Sequence, residues 1–291
     1  MDRSGLRPFP PDCASGARRR LLAAGGIALG ASLLPTGIAR ALAAPPAPGG
    51  DRIVVPVGAW GPQLVSAGAI DPPRFVAAIR SSGQALDAAL VRLLTQGRGS
   101  VELDRSSAYF LLNFLWAAGL SNRNPILARG PMFTTGMARI AGFASTGGWT
   151  LGSRPVMEVY GQVPLVALDS AGQQRLEQVA GVVYRPCCDN PTNFPDCNHG
   201  MAMLALLTLL ASEGRDDGSL FRAARTANGY WFPQQTAQLE SYVRAARGTE
   251  LVALDPREAT GKDLFSGSGS RRVAAWLAQR GLSPDPSQIR C

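Results

Sequence analysis

The sequence predicts a mainly α-helical protein: a single irregular helical domain behind a cleaved signal peptide. Three observations carry this. Helix-start residues, Asp or Ser, precede apolar-periodic runs again and again between residues 71 and 280. Runs that alternate apolar and polar residues, the mark of half-buried strands, are few. No segment repeats at a fixed period, so a solenoid or propeller is not expected.

The chain begins with a leader. A polar stretch ends in Arg18, Arg19 and Arg20, and an uncharged run from Leu21 to Leu34 follows. That run is shorter than the about 20 residues a membrane-spanning helix needs. Pro35 and Gly37 then interrupt it, and Ala41-Leu42-Ala43 offers an A-x-A cleavage site. This order is that of a secretory signal peptide over residues 1–43. Paired arginines directly before a mild Ala/Gly/Leu core resemble the twin-arginine type. The resemblance implies export of an already folded protein from a bacterial cell, to the periplasm or beyond. It also raises the expectation of a cofactor loaded before transport.

Removing 1–43 leaves 248 residues, enough for one large domain. Residues 44–70 read as a Pro/Gly linker followed by an irregular extended segment over 53–66, and the helical domain is expected over 71–291. Asp71-Pro72-Pro73 starts a helix that runs to about Thr95, with Phe75, Ile79, Leu86, Leu90 and Leu94 near one face and Gly83 as its weak point. Asp104 is expected to cap a helix through Ala118. Phe110, Leu111, Phe114, Leu115 and Trp116 make that helix apolar almost all round, which places it at the centre of the core. Residues 119–156 are rich in Gly, Asn and Pro. A short helix over 132–143 and a loop over 144–150 are expected, the loop being either a packed connector or a functional segment. Ser170 is expected to cap a helix to about Val182. Further helices fit 198–212, 218–229, 233–247 and 269–280.

Charge excludes one class of function. The leader takes +4 of the formal +8, and Arg outnumbers Lys 28 to 1. After residue 44 no basic run with interleaved aromatics occurs, so nucleic-acid binding is not expected. No later segment is long and apolar enough to be a transmembrane span.

The chemistry is concentrated in one stretch. Cys187, Cys188, Cys197 and His199, the only histidine, lie within 13 residues in the pattern C-C-x8-C-x-H. Turn-forming Asn-Pro, Phe-Pro and Asp residues between them can fold the loop back and bring the thiols together. Cys197 and His199 fall at the start of an apolar helix, whose N-terminus stabilises a thiolate. Three Cys and one His suit zinc or an iron–sulfur cluster. Adjacent cysteines sit more easily on a cluster, whose ligands occupy different corners, than on one ion. Copper is a third option if Met201 and Met203 lend soft thioethers, although core packing explains both methionines. An iron–sulfur cluster would give the protein an electron-transfer or redox role with a redox partner protein.

The alternative is a disulfide-stabilised periplasmic binding or scaffold protein without cofactor. Cys187 or Cys188 would pair with Cys197, and the remaining thiol with Cys291. A further alternative is thiol chemistry at Cys197 beside His199. Asp189 and Asp196 flank the thiols as candidate partners of His199 or as turn residues. The aromatic and amide run 228–235 is either a cover for the site or a corner of the core.

Overall fold

The computed structural model describes residues 51–84, 86–97 and 99–285, all within one compact unit, Ala47–Cys291. The leader expected over 1–43 and Cys291 lie outside the described residues.

Residues 44–50 of the expected linker lie outside the described residues, and the extended segment that follows is part of the body of the protein. Ile53, Val55 and Val57 are buried, and β1 (Val54–Val55) pairs antiparallel with β2 (Val101–Glu102), with Val55 opposite Val101. Where an extended segment was expected to continue, the chain instead forms α1 (Trp60–Ser66), which buries Trp60 and Leu64. Its two apolar residues, spaced four apart, are a helical rather than a strand pattern. The long helix expected from Asp71 divides into α2 (Pro72–Ser81) and α3 (Ala88–Gln96). Asp71 caps α2 by accepting from the Arg74 N–H, and Gly83, just after α2, separates it from α3 with φ +79°, a conformation that favours glycine.

The centre of the fold is α4 (Ala108–Ser121) packed along α9 (Asn198–Ser212). Both are buried on nearly every face, as their lack of a polar stripe requires. Each fully buried Leu or Phe in this pair is worth about 1.5–3 kcal/mol of apolar transfer. The helices approach closely at Gly119, where a Cβ would collide with the backbone carbonyl of Met201. Asp104 does not cap α4 directly. It accepts from the N–H groups of Ser106 and Ser107 in a turn that precedes the helix.

Between them the chain forms the short helices α5 (Pro125–Arg129), α6 (Met137–Gly142) and α7 (Val156–Val159), then α8 (Ser170–Ala180). The cap of α8 is Asp169, one residue before the expected Ser170. After α9 come α10 (Asp217–Trp231), α11 (Pro233–Arg247), α12 (Pro256–Ala259), α13 (Lys262–Phe265) and α14 (Gly267–Ala278). Helices α4, α8 and α10 all pack on α9, and α11 packs on α14. The cysteine-bearing loop therefore runs from the end of α8 to the start of α9, one of the two central helices. Among the described residues no helix is long and apolar enough to cross a membrane.

Candidate metal centre

The loop is built from two turns and held at both ends. Gly181 closes α8, and Tyr184 is fixed by its N–H to the Thr260 carbonyl and by the Asn228 amide on its own carbonyl. Arg185-Pro186-Cys187-Cys188 then forms a turn closed by the Cys188 N–H on the Arg185 carbonyl at 3.4 Å, with proline at the second position that its fixed φ suits. A second turn closes from Phe194 N–H to the Pro191 carbonyl. The chain enters α9 at Cys197, whose sulfur is the helix cap and accepts from the Gly200 N–H at 3.4 Å.

This path brings the three thiols to one place. The sulfurs of Cys187, Cys188 and Cys197 all lie within 4.8 Å of one another, and those of Cys187 and Cys197 are 3.4 Å apart. The adjacent pair converges because the turn at Pro186 directs both side chains toward the helix start. All three are free thiols. The disulfide of the alternative reading, Cys187 or Cys188 to Cys197, is not formed: the Cys187 and Cys197 sulfurs are in hydrogen-bond contact rather than bonded. The proposed partner Cys291 lies outside the described residues.

The organising residue is Arg185, which sequence reasoning missed. Its side chain is 1 % exposed. Nε donates to Cys197 Sγ at 2.9 Å, and the terminal nitrogens donate to the carbonyls of Asn190 and Phe194 and to Asp196 Oδ1 at 2.6 Å. One planar guanidinium thus stitches the whole loop around the thiols, a task its fork of donors suits. The one visible signal was a lone Arg-Pro before the cysteines. Gly200 makes room for it, since a Cβ there would collide with the guanidinium carbon.

Asp189 and Asp196, expected as partners of His199 or turn residues, have other tasks. Asp196 balances Arg185 and accepts from the Asn190 amide at 2.8 Å. Asp189 accepts from the Ser268 N–H at 2.7 Å, and the Gly267 N–H donates to the Cys188 carbonyl. The start of α14 therefore clamps the cysteine turn from outside. The bond from Ser268 holds the Asp189 carboxyl below its usual range.

His199 is half-buried in the first turn of α9 and lies outside the group of three converging sulfurs; its ring packs tilted against Phe232 at 4.4 Å, with Trp231 edge-on at 6.3 Å. The run 228–235 thus covers the histidine side of the centre as well as filling a core corner, Trp231 donating to the Ala108 carbonyl. The loop 144–150 is a packed connector that backs the site. Ser145 N–H donates to the Asp196 carbonyl, and Phe143 meets Phe194 edge-on. Met201 is buried and faces α4 at Gly119; Met203 is buried in the same helix.

The electrostatics single out one thiolate. Hydrogen bonds from Cys187 and Cys188, aided by Arg185 and His199, outweigh burial and hold Cys197 well below the usual thiol range. Its hydrogen bond with Cys188, then that with Cys197 and burial, push Cys187 up. Cys188 is lowered by its bond with Cys187, but its bond to Cys197 and burial prevail and push it up to about 12. Burial opposes the charge of Arg185, yet the nearby thiols keep it firmly protonated. The centre thus holds one negative sulfur cradled by two thiols and a cation, and a metal ion of charge two can replace the two thiol protons.

No protein family, curated protein or solved structure matches this chain.

Proposed function

We propose that this chain is an exported metalloprotein that holds a single zinc ion through Cys187, Cys188 and Cys197, with His199 as the fourth ligand. The observation that carries this is the convergence of three sulfurs within 4.8 Å. Sulfurs bound to one ion at about 2.3 Å in a tetrahedron stand about 3.8 Å apart, which falls inside that limit. Ligands of a polynuclear iron–sulfur cluster sit on different irons and are spread by the cluster's own width, so this convergence favours one ion over a cluster. A redox-active copper site is the weaker reading, because Met201 is turned toward α4.

Three thiolates and one imidazole form a closed ligand set of the structural type. Such an ion ties the turn at Cys187 to the start of α9, with Arg185 offsetting part of the sulfur charge. A leader of the twin-arginine kind supports export after folding, with zinc acquired first.

Elemental analysis of the full chain, purified under reducing conditions, should find one zinc per chain. Cobalt(II) added to the metal-free protein should give thiolate charge-transfer and tetrahedral ligand-field absorption, and each Cys→Ser variant should weaken binding tenfold or more. His199→Ala should alter the ligand-field bands. A folded, reduced protein that binds neither ion overturns the proposal.

A further inference from the structure

We propose that Cys187 and Cys197 form a reversible dithiol–disulfide pair, and that closing this bond evicts the metal ion. The pairing stands on geometry alone; the eviction half rests on the zinc proposal.

Four observations select this pair. The two sulfurs are already in contact at 3.4 Å, so a bond of about 2.0 Å needs only a small side-chain rotation. Cys187 is the exposed member of the trio and can meet a reagent from solvent. Cys188, unlike the other two, also has oxygen partners outside the trio, its sulfur lying 3.7 Å from Asp196 Oδ1 and 3.9 Å from the Asn190 carbonyl. Cys197 receives N–H donors from Arg185 and Gly200, which suits a sulfur that acts as a thiolate. The intervening loop is also ordered in advance by Arg185, whose bonds to Asn190, Phe194 and Asp196 hold its ends together.

The oxidant is a low-molecular-weight disulfide. Cys187 attacks one of its sulfurs, any proton it carries passing to the small thiolate that is expelled, and a mixed disulfide is left at Cys187. The Cys197 thiolate then attacks the Cys187 sulfur and expels the second small thiolate. Two electrons pass from the protein pair to the reagent. In the metal-free protein the single Cys187 proton ends on one small thiol, and the other small thiolate takes its proton from solvent. In the zinc form no thiol protons are lost; the ion leaves as its two sulfur ligands join, and the small thiolates take protons from solvent. The two remaining ligands, Cys188 and His199, are too few to retain it.

The test titrates the full chain, metal-free and zinc-loaded, with oxidised and reduced glutathione, then digests it without reduction by a protease that cuts before aspartate. Such cleavage separates Cys187 and Cys188, in the peptide 169–188, from Cys197, in the peptide 196–215. The expected product is these two peptides joined, with Cys187→Ser lowering the signal at least tenfold and Cys188→Ser leaving it. Zinc should be freed, one equivalent per bond, at the same glutathione ratio. A bond that runs through Cys188 or Cys291, or no bond in excess oxidised glutathione, overturns the pairing. A bond formed with zinc retained overturns the eviction. A chain that forms the bond but never takes up zinc supports the pairing and overturns the zinc proposal instead.

Discussion

The guanidinium of Arg185 occupies the space that a side chain at Gly200 would fill. Glycine in the first turn of α9 is therefore a packing requirement of the thiol loop, even though glycine weakens a helix. We predict that Gly200→Ala costs about 1–3 kcal/mol by overpacking, outweighing a propensity gain of up to about 1 kcal/mol. Urea denaturation checks the sign, and cobalt titration should show weaker binding. A more stable variant with unchanged affinity would refute the contact.

Arg185→Met removes a buried cation from the thiol loop and deprives Asp196 and Cys197 of their charged partner. Breaking a buried pair from one side costs about 3–5 kcal/mol, and that loss is expected in chemical denaturation. Arg185→Lys should recover part of it, because one ammonium keeps the charge but cannot reach Cys197, Asn190, Phe194 and Asp196 together. In both variants the Cys197 thiolate should form only at higher pH than in the parent, read from its ultraviolet absorbance.

Gly119 serves as the control site. A Cβ there meets the Met201 carbonyl, a backbone atom that cannot swing aside. Gly119→Ala should lower stability by about 1–3 kcal/mol. It lies on the α4–α9 contact rather than on the thiol loop, so the folded fraction should keep its zinc stoichiometry. Equal loss of zinc and of fold in the two glycine variants would show that the centre merely reports folding.

Tyr160 supplies a pH dependence. Its hydroxyl is buried without a hydrogen-bond partner among the described residues, and burial pushes its pKa up to about 12. An unfolded tyrosine ionises near 10. Below pH 10 both states are neutral and the contribution is whole. Between 10 and 12 only the unfolded state loses its proton, so stability falls as pH rises, by about 2–3 kcal/mol at most. Tyr160→Phe should be more stable than the parent at pH 8 by about 1 kcal/mol, since it deletes an unsatisfied buried group. Its alkaline decline should be shallower. An unchanged decline would place the hydroxyl in contact with solvent.

Much of the scaffold was legible because its signals are local. The Asp71-Pro72-Pro73 start, the break near Gly83 and the all-apolar faces of α4 and α9 are written in neighbouring residues. Errors fell where a local signal had a rival. Asp169 lies beside Ser170 and took its cap, and Asp104 spent its carboxylate on a turn before α4. Residues 53–66 read as extended, yet Trp60 and Leu64 find a helical partner in the core that only the rest of the chain supplies.

The sequence by itself determined which side chains could meet: three cysteines and one histidine gathered within 13 residues, with proline-rich turns able to fold them back. Tertiary structure decided how they are used. Arg185, Asp196 and Gly200 fix the Cys197 sulfur, while Gly267 and Ser268, far along the chain, clamp the cysteine turn. Ligand identity is a matter of composition, but the distance between two sulfurs depends on backbone contacts between segments remote in sequence. Residue spacing holds no record of those contacts.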